Sequence, residues 1–285
     1  MRPVVLIVVA AAACAMASHA RSQSIMYSSG QNVAPSFEGW ELQPDGTFDL
    51  LFGYMNRNLD EELHIPIGPD NNVQPAGPDR GQPTYFLPRR NRYVFRVNVP
   101  KDFGAQEVVW TLTVKGKTEK AYASLKPDYV IDSLLIMKDV GALGARKIER
   151  DNKAPSVRVE GATQRTVKAG EPVALVAVAS DDGIPTARAV PPRYPVTANA
   201  LGLRVAWFLY RGPGGVRFEP EQFKVYTDYR SDSPWTPGWV PPPLPADGRF
   251  PVTVTFDKPG TYVLRVMAHD GGLMNTQDVT VSVIN

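Results

Sequence analysis

Apolar residues recur at every second position in short runs along this sequence, and no helical spacing competes with them. Phe48, Leu50, Phe52 and Tyr54 form one such run. Tyr93, Phe95, Val97 and Val99 form another, with Arg92, Arg96 and Asn98 on the opposite side. Val108, Trp110, Leu112 and Val114 repeat the pattern, and Lys115-Gly116-Lys117 reads as a tight turn to a paired strand. Further on come Val173 to Ala179, Leu203 to Leu209, Val252 to Phe256, Tyr262 to Ala268 and Val279 to Val283. A period of two means strands with one buried and one wet face. The 27 prolines and 23 glycines fall largely between these runs, which excludes long helices. Many short strands joined by turn residues predict an all-β protein of packed sheets.

The chain has 285 residues, enough for two domains with cores of their own. Residues 1–20 read as a signal peptide: Arg2, then an uncharged apolar run from Val4 to Ala17, then small residues. The expectation is an exported, periplasmic or extracellular protein with no later transmembrane segment. Ala11-Ala12-Ala13-Cys14 loosely resembles a lipoprotein box, so lipid anchoring through Cys14 is the alternative to simple release. The remainder divides into an N-terminal sandwich-like domain over 24–145, a charged linker over 146–155, and a second sandwich over 156–285. Tyr129 to Met137 is apolar without clear period and fits either a last strand or a short helix. Ile65 to Arg90, rich in Pro and Gly, reads as a long ordered loop built on two Gly-Pro-Asp turns.

Phe256-Asp257-Lys258-Pro259-Gly260-Thr261-Tyr262, continuing through Ala268-His269-Asp270-Gly271, resembles the late strands of PKD-like and related immunoglobulin-like domains of bacterial exported proteins. Glu171-Pro172-Val173 through Ser180-Asp181-Asp182-Gly183 resembles their early strand. The similarity covers residues 155–285. The family's Trp-Asp-Phe-Gly-Asp-Gly element is here Trp207-Phe208-Leu209-Tyr210-Arg211-Gly212, and two insertions, 184–202 and 221–248, lengthen this half. The resemblance implies an immunoglobulin-like sandwich whose Tyr262 enters the core while its hydroxyl bonds back to the chain. It implies a structural or binding role; no catalytic residue is assigned.

The residue inventory points the same way. Loss of residues 1–20 would remove Cys14 and His19, leaving no Cys and two His, His64 and His269, in different halves. Disulfides and a zinc centre are then excluded, and His-based catalysis nearly so. A formal charge of 31 − 29 = +2 gives no pull toward nucleic acid. Asp60-Glu61-Glu62 is the densest acidic run; a carboxylate-based hydrolase would need such groups across a substrate, and a solvated turn is the plainer account. Calcium is the metal best suited to an oxygen-only chain. Asp181, Asp182 and Asp270 sit at strand ends that a sandwich could bring to one pole, and Asp70, Asn71, Asn72 and Asp79 share a loop. Turn capping explains both sets without a metal.

Two features suggest a ligand or partner, either an envelope protein or a glycan. Tyr229, Trp235 and Trp239 lie in a Pro-rich insertion with no strand period, where stiffly held aromatics stack on sugars or anchor a protein. The alternative is that both Trp fold back over the sandwich. Arg89, Arg90 and Arg92, with Arg96 beyond, form a basic cluster suited to anionic glycan or lipid head groups, or to a solvated strand entrance.

Overall fold

The computed structural model describes residues 26–139, 151–191 and 199–285. The signal-peptide residues, Cys14, both outer limits of the first predicted domain (24 and 145) and residues 146–150 of the predicted linker lie outside them. Among the described residues the chain is all-β, and no helix is long and apolar enough to cross a membrane.

In the N-terminal half, β1 (Val33–Leu42), β2 (Phe48–Asn56) and β6 (Arg89–Val99) make one antiparallel sheet, in the order β1-β2-β6. β4 (Asn71–Gln74), β7 (Val108–Val114) and β8 (Lys117–Ala123) make the facing sheet. The alternating residues of β2, β6 and β7 meet between them, around a fully buried Trp110. Its ring lies edge-on to Phe95 at 4.9 Å and to Phe52 at 6.1 Å, and its Nε1 donates to Asn71 Oδ1 at 3.0 Å. Asn71 in turn donates to the carbonyls of Ile65 and Pro83, so one side chain ties the Pro-rich loop to the core. That loop is part of the packing: it supplies β4 and a small hairpin, β3 (Leu63–His64) with β5 (Tyr85–Phe86).

Strand β1 shows no alternation because Pro35 and Gly39 interrupt it. Gly39 has φ +131°, and a Cβ there would stand 2.6 Å from Ile131 Cγ2 and 2.7 Å from the Tyr129 carbonyl. Only glycine lets segment 129–131 lie this tightly on the strand. The ambiguous stretch after it resolves into a 3-10 turn, Pro127–Tyr129, and a helix, Ser133–Asp139, whose start is capped by Asp132 Oδ1 accepting from Leu135 N at 2.8 Å.

The C-terminal half has β9 (Ser156–Val159), β11 (Val173–Ser180), β14 (Arg249–Phe256) and β13 (Val216–Glu219) in one sheet. The other holds β10 (Gln164–Lys168), β16 (Met274–Ile284), β15 (Gly260–His269) and β12 (Arg204–Arg211). The orders β13-β14-β11-β9 and β10-β16-β15-β12 reproduce the two-sheet pairing of an immunoglobulin-like sandwich, with β10 running parallel to β16. Tyr262 is fully buried, 4.7 Å from the Phe256 ring, and its hydroxyl donates to the Lys258 carbonyl at 2.8 Å. Tyr262→Phe removes only the hydroxyl, which bonds there and more weakly to the Gly214 carbonyl at 3.3 Å. It should lower stability by about 1 kcal/mol in a urea titration; no change would show that the corner is held by packing alone.

The halves do not hang on a free linker. β6 sets three residues, Arg92–Val94, against the single Gly53 of β2, a bulge between the pairs Phe52↔Phe95 and Tyr54↔Asn91. A Cβ at Gly53 would run into Glu38 and Asn91, so glycine makes room for the bulge. The bulge presents the Val94 carbonyl to Arg265 Nη1 at 2.6 Å. Tyr210 Oη donates to the Gly81 carbonyl at 2.6 Å, and Arg211 holds Asp79 through two nitrogens at 3.0 and 2.8 Å. Leu51, Ile131, Ile136, Met137 and Leu273 close an apolar seam beside them. The outer faces of β12 and β15 are therefore covered in part as well as the inner ones. His269, on the face of its strand away from Tyr262, is 4% exposed.

A basic cleft between the two halves

Where the halves meet they leave a cleft of about 550 Å³. One wall is the start of β6 with its bulge, from Arg89 to Val94. The floor is the outer face of β12 and β15, with Phe208, Tyr210, Arg265 and His269. The third side is the long insertion, through Thr227, Tyr229 and Trp235. The basic cluster and the aromatic insertion, separate features in the sequence, thus face one cavity. Trp239 does not reach it: the ring is half-buried, edge-on to Phe223 at 5.3 Å.

The insertion is braced from within. Asp228 is buried and accepts from Lys224 Nζ at 2.7 Å and from Arg230 Nε and Nη2 at 2.8 Å. Burial pushes its carboxyl up, but the bonds from Arg230 and Lys224 outweigh burial and hold it well below the ordinary value. Arg230 also reaches the first half, pairing with Asp60 at 2.8 Å and with the Leu59 carbonyl at 3.0 Å. The two insertions are knitted together through Ala200 N to the Pro234 carbonyl and Gly238 N to the Val190 carbonyl. Trp235 and Tyr229 therefore stand on a fixed support, both half-buried.

The charge of the cleft is one-sided. No carboxylate lines it among the described residues, whereas Arg89, Arg90, Arg92 and Arg265 do. Arg90 is neutralised from behind by Glu38 at 2.7 Å, and Arg265 by Asp278 at 2.7 Å. Arg265 also lies over the Tyr210 ring, 3.4 Å from its centre. Arg89 makes no carboxylate pair among the described residues; its contact is with Met26 Sδ at 3.9 Å. Burial raises the pKa of Tyr229, and the Arg89 charge pulls it partly back, so the two groups feel one another across the opening. Arg89 (φ +65°) and Tyr93 (φ +53°) both carry left-handed backbone on this wall, a strain that bulky residues keep where the surroundings impose it. His269 accepts from Gly271 N through Nδ1 at 2.8 Å, which places its proton on Nε2; burial first, then the Arg204 charge, keeps the ring neutral. A neighbouring groove of about 770 Å³ shares Tyr85 and Phe208 with the cleft and is of mixed charge, with Glu62, Glu219, Glu221 and Asp257 beside Arg217 and Lys224.

The remaining sequence candidates are dispersed. Asp60 pairs with Arg230, Glu61 with Lys115 at 2.8 Å, and Glu62 accepts from the Tyr85 hydroxyl at 2.6 Å. Asp70, Asn71, Asn72 and Asp79 do not converge on a metal: Asn71 is buried under Trp110, Asn72 caps the Pro69 carbonyl and Asp79 is the partner of Arg211. Asp181 adds slightly to the rise that burial imposes on the Asp270 carboxyl, and Asp182 turns aside to cap the Lys153 and Ile184 amides. The sequence reading passed over Arg265, Tyr210 and Arg230, which set the cleft. A signal existed for the first two: around Arg265 both faces of the Tyr262–Ala268 run are apolar, the mark of a strand covered on both sides.

No protein-family model matches the chain, and no curated protein matches it. Solved structures give remote similarities. A superoxide reductase (neelaredoxin) from Ignicoccus hospitalis is 14% identical over 49% of this chain and 87% of its own, with a TM-score of 0.23. A chimeric titin Z1Z2 tandem is 12% identical over 88% of this chain and 100% of its own, with a TM-score of 0.25. The adhesin InvE of Yersinia pseudotuberculosis is 12% identical over 88% of this chain, with a TM-score of 0.23; the chain spans 58% of that structure. Similarity this distant carries no argument about function.

Proposed function

We propose that the protein is a non-enzymatic, exported binding module of the bacterial envelope, and that its ligand seat is the cleft between the halves, taking a glycan with acidic substituents. One observation carries this reading: Trp235 and Tyr229, on a braced support, face Arg89 across a cavity that no carboxylate lines among the described residues. Aromatic side chains held flat and still lose little entropy on stacking against a sugar ring. An arginine without a carboxylate of its own supplies a two-pronged site for a uronate or sulfate group. The same observation speaks against a two-carboxylate glycoside hydrolase working in this cleft. An envelope protein as partner is the second reading, and the groove of mixed charge beside the basic cleft suits a partner segment bearing both charges.

Calorimetric titration with a panel of neutral and acidic oligosaccharides tests the proposal. Acidic members should bind, Trp235→Ala should weaken them tenfold or more (about 1.4 kcal/mol), and Arg89→Ala should erase the preference for acid over neutral sugars. Indifference of a bound glycan to Trp235→Ala would place the ligand elsewhere. Silence of the whole panel, with a cross-linked envelope protein captured through this cleft, would favour the partner reading.

A further inference from the structure

The second sandwich turns one edge of each sheet toward a single groove. β12 ends one sheet and β13 ends the other, and both line the groove of about 770 Å³. On β12 the Trp207 amide is already closed, donating to Gln222 Oε1 at 2.9 Å. On β13 the edge is open. Asp257 N donates to the Gly215 carbonyl at 2.8 Å, which fixes the phase of the β13–β14 ladder. Arg217 and Glu219 then bond to β14, and the N–H and C=O groups of Val216 and Phe218 point outward. No backbone group beyond β14 meets them among the described residues. Such an edge is a template for another strand. A second sign lies in the other wall. Trp207 is 2% exposed and lines the groove, and its buried Nε1 has no hydrogen-bond partner. A buried donor left unpaired costs stability unless something meets it. The unpaired charge of the groove is negative. Of its two cations, Arg217 has Asp257 at 3.5 Å and Lys224 has Asp228 at 2.7 Å. Glu62 accepts from the Tyr85 hydroxyl. Glu219 and Glu221 are exposed and make no ion pair among the described residues.

We propose that the edge of β13 takes an extended segment of a protein partner as a fifth strand of its sheet, and that the segment alternates apolar with basic residues. Main-chain bonds to Val216 and Phe218 supply affinity whatever the partner's sequence. The side chains of an added strand alternate between two faces. On the inner face they lie beside Val216 and Phe218, which pack on the core with Trp207. On the outer face they meet Glu219, with Glu221 just past the end of the strand, and a lysine or arginine there pairs with carboxylates that have no other cation. Trp207 Nε1 offers its proton to a carbonyl of the same segment. The inference rests on the partner reading, to which it adds an edge, a pattern and a charge. It is independent of the glycan seat that Arg89 and Trp235 line.

The test titrates the full chain into three fluorescein-labelled peptides and reads fluorescence anisotropy. The peptides are four Val-Lys repeats, four Val-Glu repeats, and a block of four valines followed by four lysines. The Val-Lys peptide should bind one to one, and roughly tenfold tighter than either of the others. N-methylation of one alternate set of its amides should abolish binding and methylation of the other set should spare it, as pairing along a single edge requires. Glu219→Lys combined with Glu221→Lys should reverse the preference toward Val-Glu; both sites are exposed, so the fold should tolerate the change. Trp207→Phe should weaken binding about fivefold, the worth of one hydrogen bond. Arg89→Ala should change nothing, which separates this site from the glycan seat. Equal binding of the alternating and block peptides would overturn the proposal, as would binding that survives both methylated sets. A dimer of the free chain that the double glutamate variant dissolves would give the edge to a second copy and overturn it too.

Discussion

Trp110→Ala should lower the stability of the protein by about 4 kcal/mol, a large fraction of what a folded chain has to lose. Removing a fully buried indole forfeits its transfer energy and leaves a cavity between two sheets already clamped by Phe52, Phe86 and Phe95. Loss of Nε1 also strips Asn71 Oδ1 of its donor in a fully buried place. The effect should travel. Asn71 holds the loop that runs to Asp79, Gly81 and Thr84, which are the contacts of β12. Urea unfolding followed by both far-ultraviolet circular dichroism and tryptophan fluorescence should show the loss. Trp110→Phe should cost less, because it keeps most of the packing. A loss below 1 kcal/mol in Trp110→Ala would mean that the first sandwich collapses around the gap, and the account of its core would fail.

Asp228→Asn should disable the cleft more than it destabilises the fold. It removes the charge that gathers Lys224 and Arg230 and, through Arg230, reaches Asp60 and Leu59. Both cations are partly exposed and can turn to water, so the loss of stability should be modest, about 1–3 kcal/mol. Trp235 and Tyr229 lose their brace, and the affinity for any ligand of the cleft should fall tenfold or more. The pH dependence gives an independent reading. A carboxyl whose folded pKa is depressed contributes stability above its unfolded pKa, near ~3.9, and loses it as pH falls toward the folded value. The wild-type melting temperature should therefore drop on acidification below about pH 4, and Asp228→Asn should flatten part of that slope. An unchanged acid limb would show that Asp228 does not brace the insertion.

The inner faces of both sandwiches are legible in the sequence because burial on one side writes itself as a period of two. Val108 to Val114 falls on a strand whose alternate residues are buried, and the Phe48–Tyr54 and Tyr262–Ala268 runs place their alternating residues in the cores although β2 and β15 bury part of the other face too. The Tyr262 corner follows from Pro259-Gly260 and its tyrosine. Two strands left no rhythm: β1 carries Pro35 and Gly39, and β4 is Asn71-Asn72-Val73-Gln74, whose one apolar residue, Val73, enters the core beside the Asn71 amide. The seam was hidden for another reason. Phe208, Tyr210 and Arg265 occupy the face that a lone sandwich gives to solvent, and only contact with residues far away in sequence turns that face inward. Tyr229, Trp235 and the arginines stood out as residue types, but their meeting is a property of how two sheets dock.

The bond from Arg265 to the Val94 carbonyl spans 171 residues, and this sets an order of manufacture. A chain delivered amino end first completes β1 to β8 long before β12 and β15 exist. During that interval Leu51 and Tyr93, which pack in the seam of the finished protein, lack part of their cover. The first sandwich is thus born sticky and becomes inert only when the last strands arrive. Holding such an intermediate apart from its copies is a demand that this architecture places on the cell that makes it.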